Sequence, residues 1–350
     1  MKKGCLRVCV PFADLRKEPA DRSSGYERDS LQQTQVLHNE LLDLIDERSE
    51  WYFVEAPEQI RTDAHGNTGG YPGWVRKSAV VEADSGSDYN AVVSQLCALL
   101  SSEPFHEGVV LGRLPLGSRL SVEANNDTAD WLITRLPNGT GWIPAAHVNT
   151  HPVVSNEQLR ENLIRTAELF IGLPYLWGGR STCPTEAASH RAQGARHKAQ
   201  GTGHMAQFST KDTNSLPPLS FNLYPGSTAG AVYGVDCSGF TNLVYRAHFI
   251  DIPRDAADQA AVCARITADM LKPADLIFVS AQKASEEIVH VMLSLGGEEF
   301  IEAAETGSLV RRCTFKEKYG FTAGELIEKQ FKVDGRDISF GSILKQRTTK

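Results

Sequence analysis

Nowhere in the 350 residues does an apolar run approach the ~18 positions that cross a bilayer, so no helical membrane span is expected. Positive charge is not in excess. The formal net charge is -7 and the pI is near 5.8, which argues against a nucleic-acid binder and against a polybasic membrane contact. Cysteines are few: the seven, at positions 5, 9, 97, 183, 237, 263 and 313, form an odd set without a CxxC pair. Neither a zinc site nor a disulfide scaffold is expected from such spacing, nor any metal or other cofactor. Nor is a leader expected. Two lysines follow Met1, but Arg7 and Pro11 interrupt the ~7–15 apolar residues a signal peptide needs, and Cys5 is too near Met1 for lipidation. A reducing, cytoplasmic home is the expectation.

What is present is ordinary for a globular chain: 41% hydrophobic and 23% charged residues. A single core rarely grows beyond ~250–300 residues, so two or three domains are expected. An imperfect repeat covers the first 150 residues. One copy runs from Trp51 through Gly73-Trp74-Val75 to Val80, the other from Trp131 through Gly141-Trp142-Ile143 to Val148. Short strands between turn residues predict two small β-barrels, 1–84 and 88–150, whose indoles cover their cores. Ser155 with Gln158 reads as a capping box, and Leu159, Leu163, Ala167 and Phe170 recur at helical spacing. This helix opens a third domain, 155–346, interrupted by a polar insertion at 182–233. Within the insertion a seven-residue micro-repeat starts at His190, His197 and His204. Its glycines oppose a helix that would align the rings, so it reads as a polar loop rather than a metal site.

The chemistry-bearing residues follow the insertion. Cys237 stands at the start of a predicted helix, where unpaired backbone amides and the helix dipole favour a thiolate. His290 lies in a predicted strand, between Val289 and Val291, suited to act as its base. Taken alone, such a cysteine is as well read as a small buried hydrophobe. The ordered set Pro174-Tyr-Leu-Trp-Gly-Gly179, Asp236-Cys-Ser-Gly-Phe240, Pro253-Arg-Asp255, Pro273-Ala-Asp-Leu-Ile-Phe278 and His290-Val-Met-Leu-Ser-Leu-Gly296 changes that reading. Over residues 155 to about 310 it resembles the NlpC-type family of bacterial cell-wall cysteine peptidases.

That resemblance implies an α+β, papain-like domain, with a Cys-bearing helix packed on an antiparallel sheet carrying the His. It implies Cys237 as nucleophile, His290 as base, Glu302 (with Glu305 as backup) to orient the imidazole, and Tyr175 beside the oxyanion. Ser238, Asp236 and Trp177 match positions bordering the substrate cleft. The front half resembles the SH3-like domains of one subfamily, the γ-D-glutamyl-L-diamino acid endopeptidases. There Glu40 and Tyr71, with Asp255, would hold a free substrate amine, although Asn39 replaces a usual glycine before Glu40. The implied partners are peptidoglycan-derived peptides of the type L-Ala-γ-D-Glu-diamino acid, met in recycling of wall fragments. An amidase, an endopeptidase on intact wall, and a catalytically silent wall-peptide binder are the competing readings.

Overall fold

The computed structural model describes residues 3–22, 27–84, 86, 89–104, 108–125, 128–136, 139–152, 155–184, 232–281, 287–328, 332–333 and 335–344. Most of the 182–233 insertion, with its histidine repeat, lies outside the described residues. No described helix is long and apolar enough to cross a membrane.

Seven antiparallel strands come from the first 82 residues: Gly4–Val8, Phe12–Arg16, Gln32–Leu37, Leu41–Arg48, Trp51–Thr62, Thr68–Arg76 and Val80–Glu82. In space they run third, second, sixth, fifth, fourth, first, seventh. One face buries Leu6, Val8, Leu15, Val36, Val54 and Val75. Both copies of the repeat take the same course. Trp51–Thr62 returns as Thr68–Arg76, and Trp131–Leu136 returns as Gly139–Pro144. Each return passes through a 3-10 turn, Lys77–Ala79 or Ala145–His147, into a short strand at Val80 or Val148.

Two expectations are corrected here. Among the described residues neither copy closes into a barrel. The first sheet is an open path, and the second copy divides into a five-stranded and a three-stranded sheet. The outer strand Gln32–Leu37 is engaged elsewhere: Gln35 donates to the Val232 carbonyl at 2.8 Å and accepts from the Arg180 amide at 2.8 Å. Nor do the indoles cover the cores. Strand alternation points Val75 and Ile143 inward, each 0% exposed, and turns the neighbouring Trp74 and Trp142 outward.

The C-terminal sheet runs Ala264–Ile266, Arg336–Ser342, Leu276–Ser280, Ile288–Gly296, Glu299–Glu302, Arg311–Thr314, and Lys332–Val333 adds to Arg336–Ser342. Alternation along its strands gives it two apolar faces. Phe278, Val291, Leu293 and Ile301 pack with the helices Asn156–Leu169 and Cys237–Arg246. Ile277, Met292 and Phe300 pack with Phe315 and Leu326 on the other side. The strand turn at Gly296-Gly297 needs glycine, since both residues have positive φ (94° and 59°). At the first helix Ser155 accepts from the Gln158 amide at 3.2 Å, but the Gln158 side chain turns to Asn162, so the expected capping box is only half made.

A disulfide joins Cys97 to Cys183, with Cα atoms 5.1 Å apart. The bridge was not expected from spacing, because the partners are 86 residues apart and meet only through folding. The same contact is reinforced by Thr182, whose hydroxyl donates to Leu96 O at 2.5 Å and accepts from Leu116 N at 3.0 Å. Closing so long a loop stabilises typically by about 2–4 kcal/mol. Replacing both cysteines by serine is therefore expected to lower the unfolding free energy by that amount and so lower the denaturant midpoint, and mild reduction of the parent protein should do the same. An unchanged midpoint in both experiments would remove the bridge as a stabilising element.

Candidate active site

Cys237 is the first residue of its helix, and Asp236 is the cap, accepting from the Gly239 amide at 2.6 Å. Gly239 is required at this spot, because a Cβ would collide with the Gly179 carbonyl oxygen. The helix abuts the strand Ile288–Gly296, where the thiol receives the backbone N–H of Val291, and its own helix start adds the Ser238 N–H. These amides act in the direction expected for a thiolate. Burial, followed by the adjacent Asp236 carboxylate, outweighs them and pushes the thiol up to about 12. The expectation of a lowered thiol pKa is thus reversed, and the resting sulfur is a neutral S–H.

One residue before Val291, His290 turns its Nε2 to Glu302 Oε2 at 3.1 Å. The ladder pairs Leu293 with Ile301, so Glu302 stands diagonal to His290 rather than directly opposite, within reach for long side chains. Glu302 is fully buried and saturated: Arg311 donates to Oε1 through Nε at 3.1 Å and Nη2 at 2.8 Å, and the Lys318 ammonium contacts Oε2. Burial alone would raise its pKa, but the His290 hydrogen bond and the Lys318 charge hold it at about 2. His290 itself is lowered from 6.5, by burial first and by the Lys318 and Arg336 charges, against the pull of Glu302. The imidazole is therefore neutral at pH 7 and anchored by a carboxylate that stays ionised. Lys318 and Arg311 were not singled out from the sequence. They follow Glu302 by 16 and 9 positions, and only the return strand Arg311–Thr314 and the Phe315–Tyr319 helix bring them back.

Asp236 and Ser238, expected at the border of the cleft, are both largely buried, 9% and 6% exposed. Arg254 donates to both Asp236 oxygens at 3.0 and 2.8 Å and to Ser238 Oγ at 2.9 Å. Asp236 Oδ2 also accepts from the Gly178 amide at 3.0 Å. The two side chains form a buried clamp that holds the start of the Cys237 helix. Arg254 is its centre, 1% exposed, and its sequence signal was the middle of Pro253-Arg-Asp255. Burial, then the charges of Asp236 and Cys237, raise the pKa of the Tyr175 phenol. Trp177 is 39% exposed, with the Arg28 guanidinium 4.0 Å over its ring.

From Arg254 the chain steps to Asp255, whose carboxylate accepts from the Tyr71 hydroxyl at 3.3 Å on both oxygens. Two residues expected together are together. Burial raises the Asp255 pKa, with Asp236 adding to it and Arg254 opposing. Arg61 reaches to 3.8 Å of Asp255 and lies 5.1 Å from the Tyr71 ring centre, the single cation near this exposed end among the described ion pairs. Glu40 does not join them, and that expectation is corrected. It is 1% exposed, paired with Arg180 and, at 3.3 Å, with Arg246, and accepts from Gln59 at 3.0 Å. Its oxygens are occupied by the protein's own guanidinium groups.

Residues 222–323 match the model of the NlpC/P60 family. Over 315 residues the chain is 25% identical to a gamma-D-glutamyl-L-lysine dipeptidyl-peptidase of Bacillus subtilis (strain 168), covering 89% of this chain and 86% of that protein. A Bacillus cereus (strain ATCC 10987 / NRS 248) protein with the same name is 24% identical over 289 residues, covering 77% of this chain and 67% of its own. In fold, the crystal structure of an NlpC/P60 family protein from Bacillus cereus ATCC 10987 superimposes with a TM-score of 0.68 at 19% identity, over 98% of this chain and 100% of that one.

Proposed function

We propose that this chain, which carries an NlpC/P60 domain, is a cysteine peptidase that hydrolyses the γ-D-glutamyl–diamino acid bond of stem peptides with a free N-terminal L-Ala. The observation that supports it most is the Cys237 thiol at the amide of Val291, the residue that follows His290 on its strand, with His290 Nε2 tied to a buried Glu302. Because Nε2 is engaged, Nδ1 is the nitrogen left to take the thiol proton. With the sulfur neutral at rest, that transfer accompanies attack on the carbonyl carbon rather than preceding it. The oxyanion of the tetrahedral intermediate is met by the Cys237 N–H and the Tyr175 hydroxyl. As the C–N bond breaks, the imidazolium returns its proton to the leaving amine. Water, activated by the same imidazole, then cleaves the thioester and restores the thiol. Glu302 keeps the ring in one tautomer and stabilises its cationic form.

The Tyr71–Asp255 pair supplies the amine end. A substrate ammonium would displace Arg61 and bond to a carboxylate that the surroundings otherwise leave short of countercharge. An acylated amine would leave Asp255 half-buried and unpaired, which costs affinity steeply. Free amines occur on stem peptides already released from the glycan, so this reading assigns the chain to released fragments. On location, the Cys97–Cys183 disulfide favours an oxidising compartment over the cytoplasmic home suggested by thiol spacing. The purified protein is expected to release L-Ala-D-Glu from L-Ala-γ-D-Glu-diaminopimelate, and to cut the N-acetylated peptide at least about 100-fold more slowly. Equal rates for the two would remove amine recognition, and no release from either would remove the peptidase itself.

A further inference from the structure

An arginine carries five N–H donors in a planar fork, and in Arg254 each of them meets an acceptor. Four point to the start of the Cys237 helix and its surroundings. Nη1 donates to Asp236 Oδ1 and Ser238 Oγ, and Nη2 donates to Asp236 Oδ2 and, at 3.4 Å, to the Gly179 carbonyl. The fifth, on Nε, crosses to the front sheet. It donates at 2.8 Å to the hydroxyl of Thr34, 220 positions earlier on the strand Gln32–Leu37. Thr34 is fully buried.

The polarity of that contact is set one step further back. The Glu40 carboxylate can only accept, so the Gln59 amide turns its nitrogen to Glu40 Oε2 at 3.0 Å and to the Gln35 carbonyl at 2.9 Å. Its oxygen is left for the Thr34 hydroxyl, which donates to it at 2.7 Å. With its proton committed to Gln59, Thr34 offers Arg254 a lone pair. Gln59 stands there because the ladder of Trp51–Thr62 with Thr68–Arg76 breaks register between Ala56 and Arg61. The neighbouring Ile60 carbonyl, in the same irregular stretch, accepts from the Arg254 backbone N–H at 3.0 Å. Ile60 thus holds the backbone that leads to Asp255, and Thr34 holds the plane of the guanidinium.

We infer that Thr34 is a positioning residue for the reaction: its hydroxyl fixes the Arg254 fork and, through Asp236 and Ser238, the start of the helix that carries Cys237. The inference rests on the peptidase reading and adds to it a residue outside the Cys237, His290 and Glu302 set. Because Asp255 is carried by backbone that Ile60 holds, the hydroxyl serves the chemical step more than amine binding.

Thr34→Val keeps the shape of the side chain and leaves Arg254 Nε and Gln59 Oε1 unpaired. On L-Ala-γ-D-Glu-diaminopimelate, kcat per folded molecule should fall at least about tenfold, the range of one hydrogen bond to a charged group, with KM within about threefold of the parent value. Thr34→Ser, which keeps the hydroxyl, should restore kcat. Thr34→Ala makes room for a water between Arg254 and Gln59, and takes the place of the valine variant if that protein does not fold. A residue needed only for stability would lower the unfolding midpoint and leave kcat of the folded fraction unchanged. Iodoacetamide modification of Cys237, assigned by mass spectrometry, reads the same geometry without turnover. Burial keeps this thiol protonated, so a loosened helix start should speed its modification at least about threefold in Thr34→Val, with Thr34→Ser at the parent rate and the buried Cys263 unchanged throughout. If the parent protein cleaves no peptide and this alkylation pattern still holds, the peptidase reading fails and the positioning of Cys237 by Thr34 stands. Parent-like kcat or parent-like alkylation in folded Thr34→Val, or a loss that Thr34→Ser does not reverse, overturns it.

Discussion

Cys237→Ala protein is expected to fold normally, bind the tripeptide, and lose at least about 10⁴-fold in kcat/KM. Removing one sulfur from a partly exposed helix start deletes no hydrogen bond on which the clamp of Asp236, Ser238 and Arg254 depends. The loss therefore reads as chemistry rather than stability. The parent enzyme's pH profile carries the complementary signature. His290 must be neutral to accept the thiol proton, and its pKa is lowered from 6.5, so activity should be level at and above about pH 6.5 and fall only below it. Asp255 loses its charge in the same acid direction, since its pKa is raised, and deepens the fall through KM. Lys318→Met should move the limb to higher pH by removing a charge that opposes the imidazolium. A limb above pH 7 in the parent enzyme, or substantial turnover by Cys237→Ala, would contradict this assignment of roles.

The second large effect falls on stability. Glu40→Ala is expected to cost about 3–5 kcal/mol, because it leaves the buried Arg180 without its only carboxylate among the described ion pairs. Arg246 is less exposed to the loss, since Glu58 at 2.7 Å and Asp251 at 3.4 Å remain. Among the described residues Arg180 keeps Asn242 at 2.7 Å and Gln35, which satisfy hydrogen bonds but not charge. Denaturant titration of Glu40→Ala, alongside its rates on the free and N-acetylated peptides, separates two roles. A structural carboxylate gives a large loss of stability with the amine preference intact in the folded fraction. Normal stability with an abolished preference would return Glu40 to the substrate.

The contrast between Glu40 and Glu302 shows what was legible in the sequence. Glu302 was found because Phe300-Ile-Glu302 matches the family's orienting position on the next strand, 12 residues from His290 across one tight turn. Glu40 was misassigned although its local geometry was readable. Asn39 adopts φ 68°, the left-handed conformation asparagine tolerates, and so keeps the turn a glycine would make. What the sequence could not reveal was the destination: the arginines that claim Glu40 lie 140 and 206 positions further on. The same distance effect hid the Cys97–Cys183 bridge and the Lys318–Glu302 contact. The thiol pKa was misjudged for another reason. A helix start can be recognised from Asp236-Cys-Ser-Gly, but enclosure of the sulfur is a property of the assembled core. The two repeat copies were found by their Gly-Trp steps, yet the indoles face outward because register, not composition, decides the face.

The ion cluster of Glu40, Arg180 and Arg246 also bears on how this chain could be taken apart. Glu40 belongs to the front sheet, whereas Arg180 and Arg246 belong to the part that carries Cys237. Cutting between them would leave the buried Arg180 guanidinium without its carboxylate and Arg246 with Asp251 in place of three acids. The front half is therefore not a detachable accessory. It completes the interior of the catalytic half, and exchanging it for another module would demand a matching acid at the same depth.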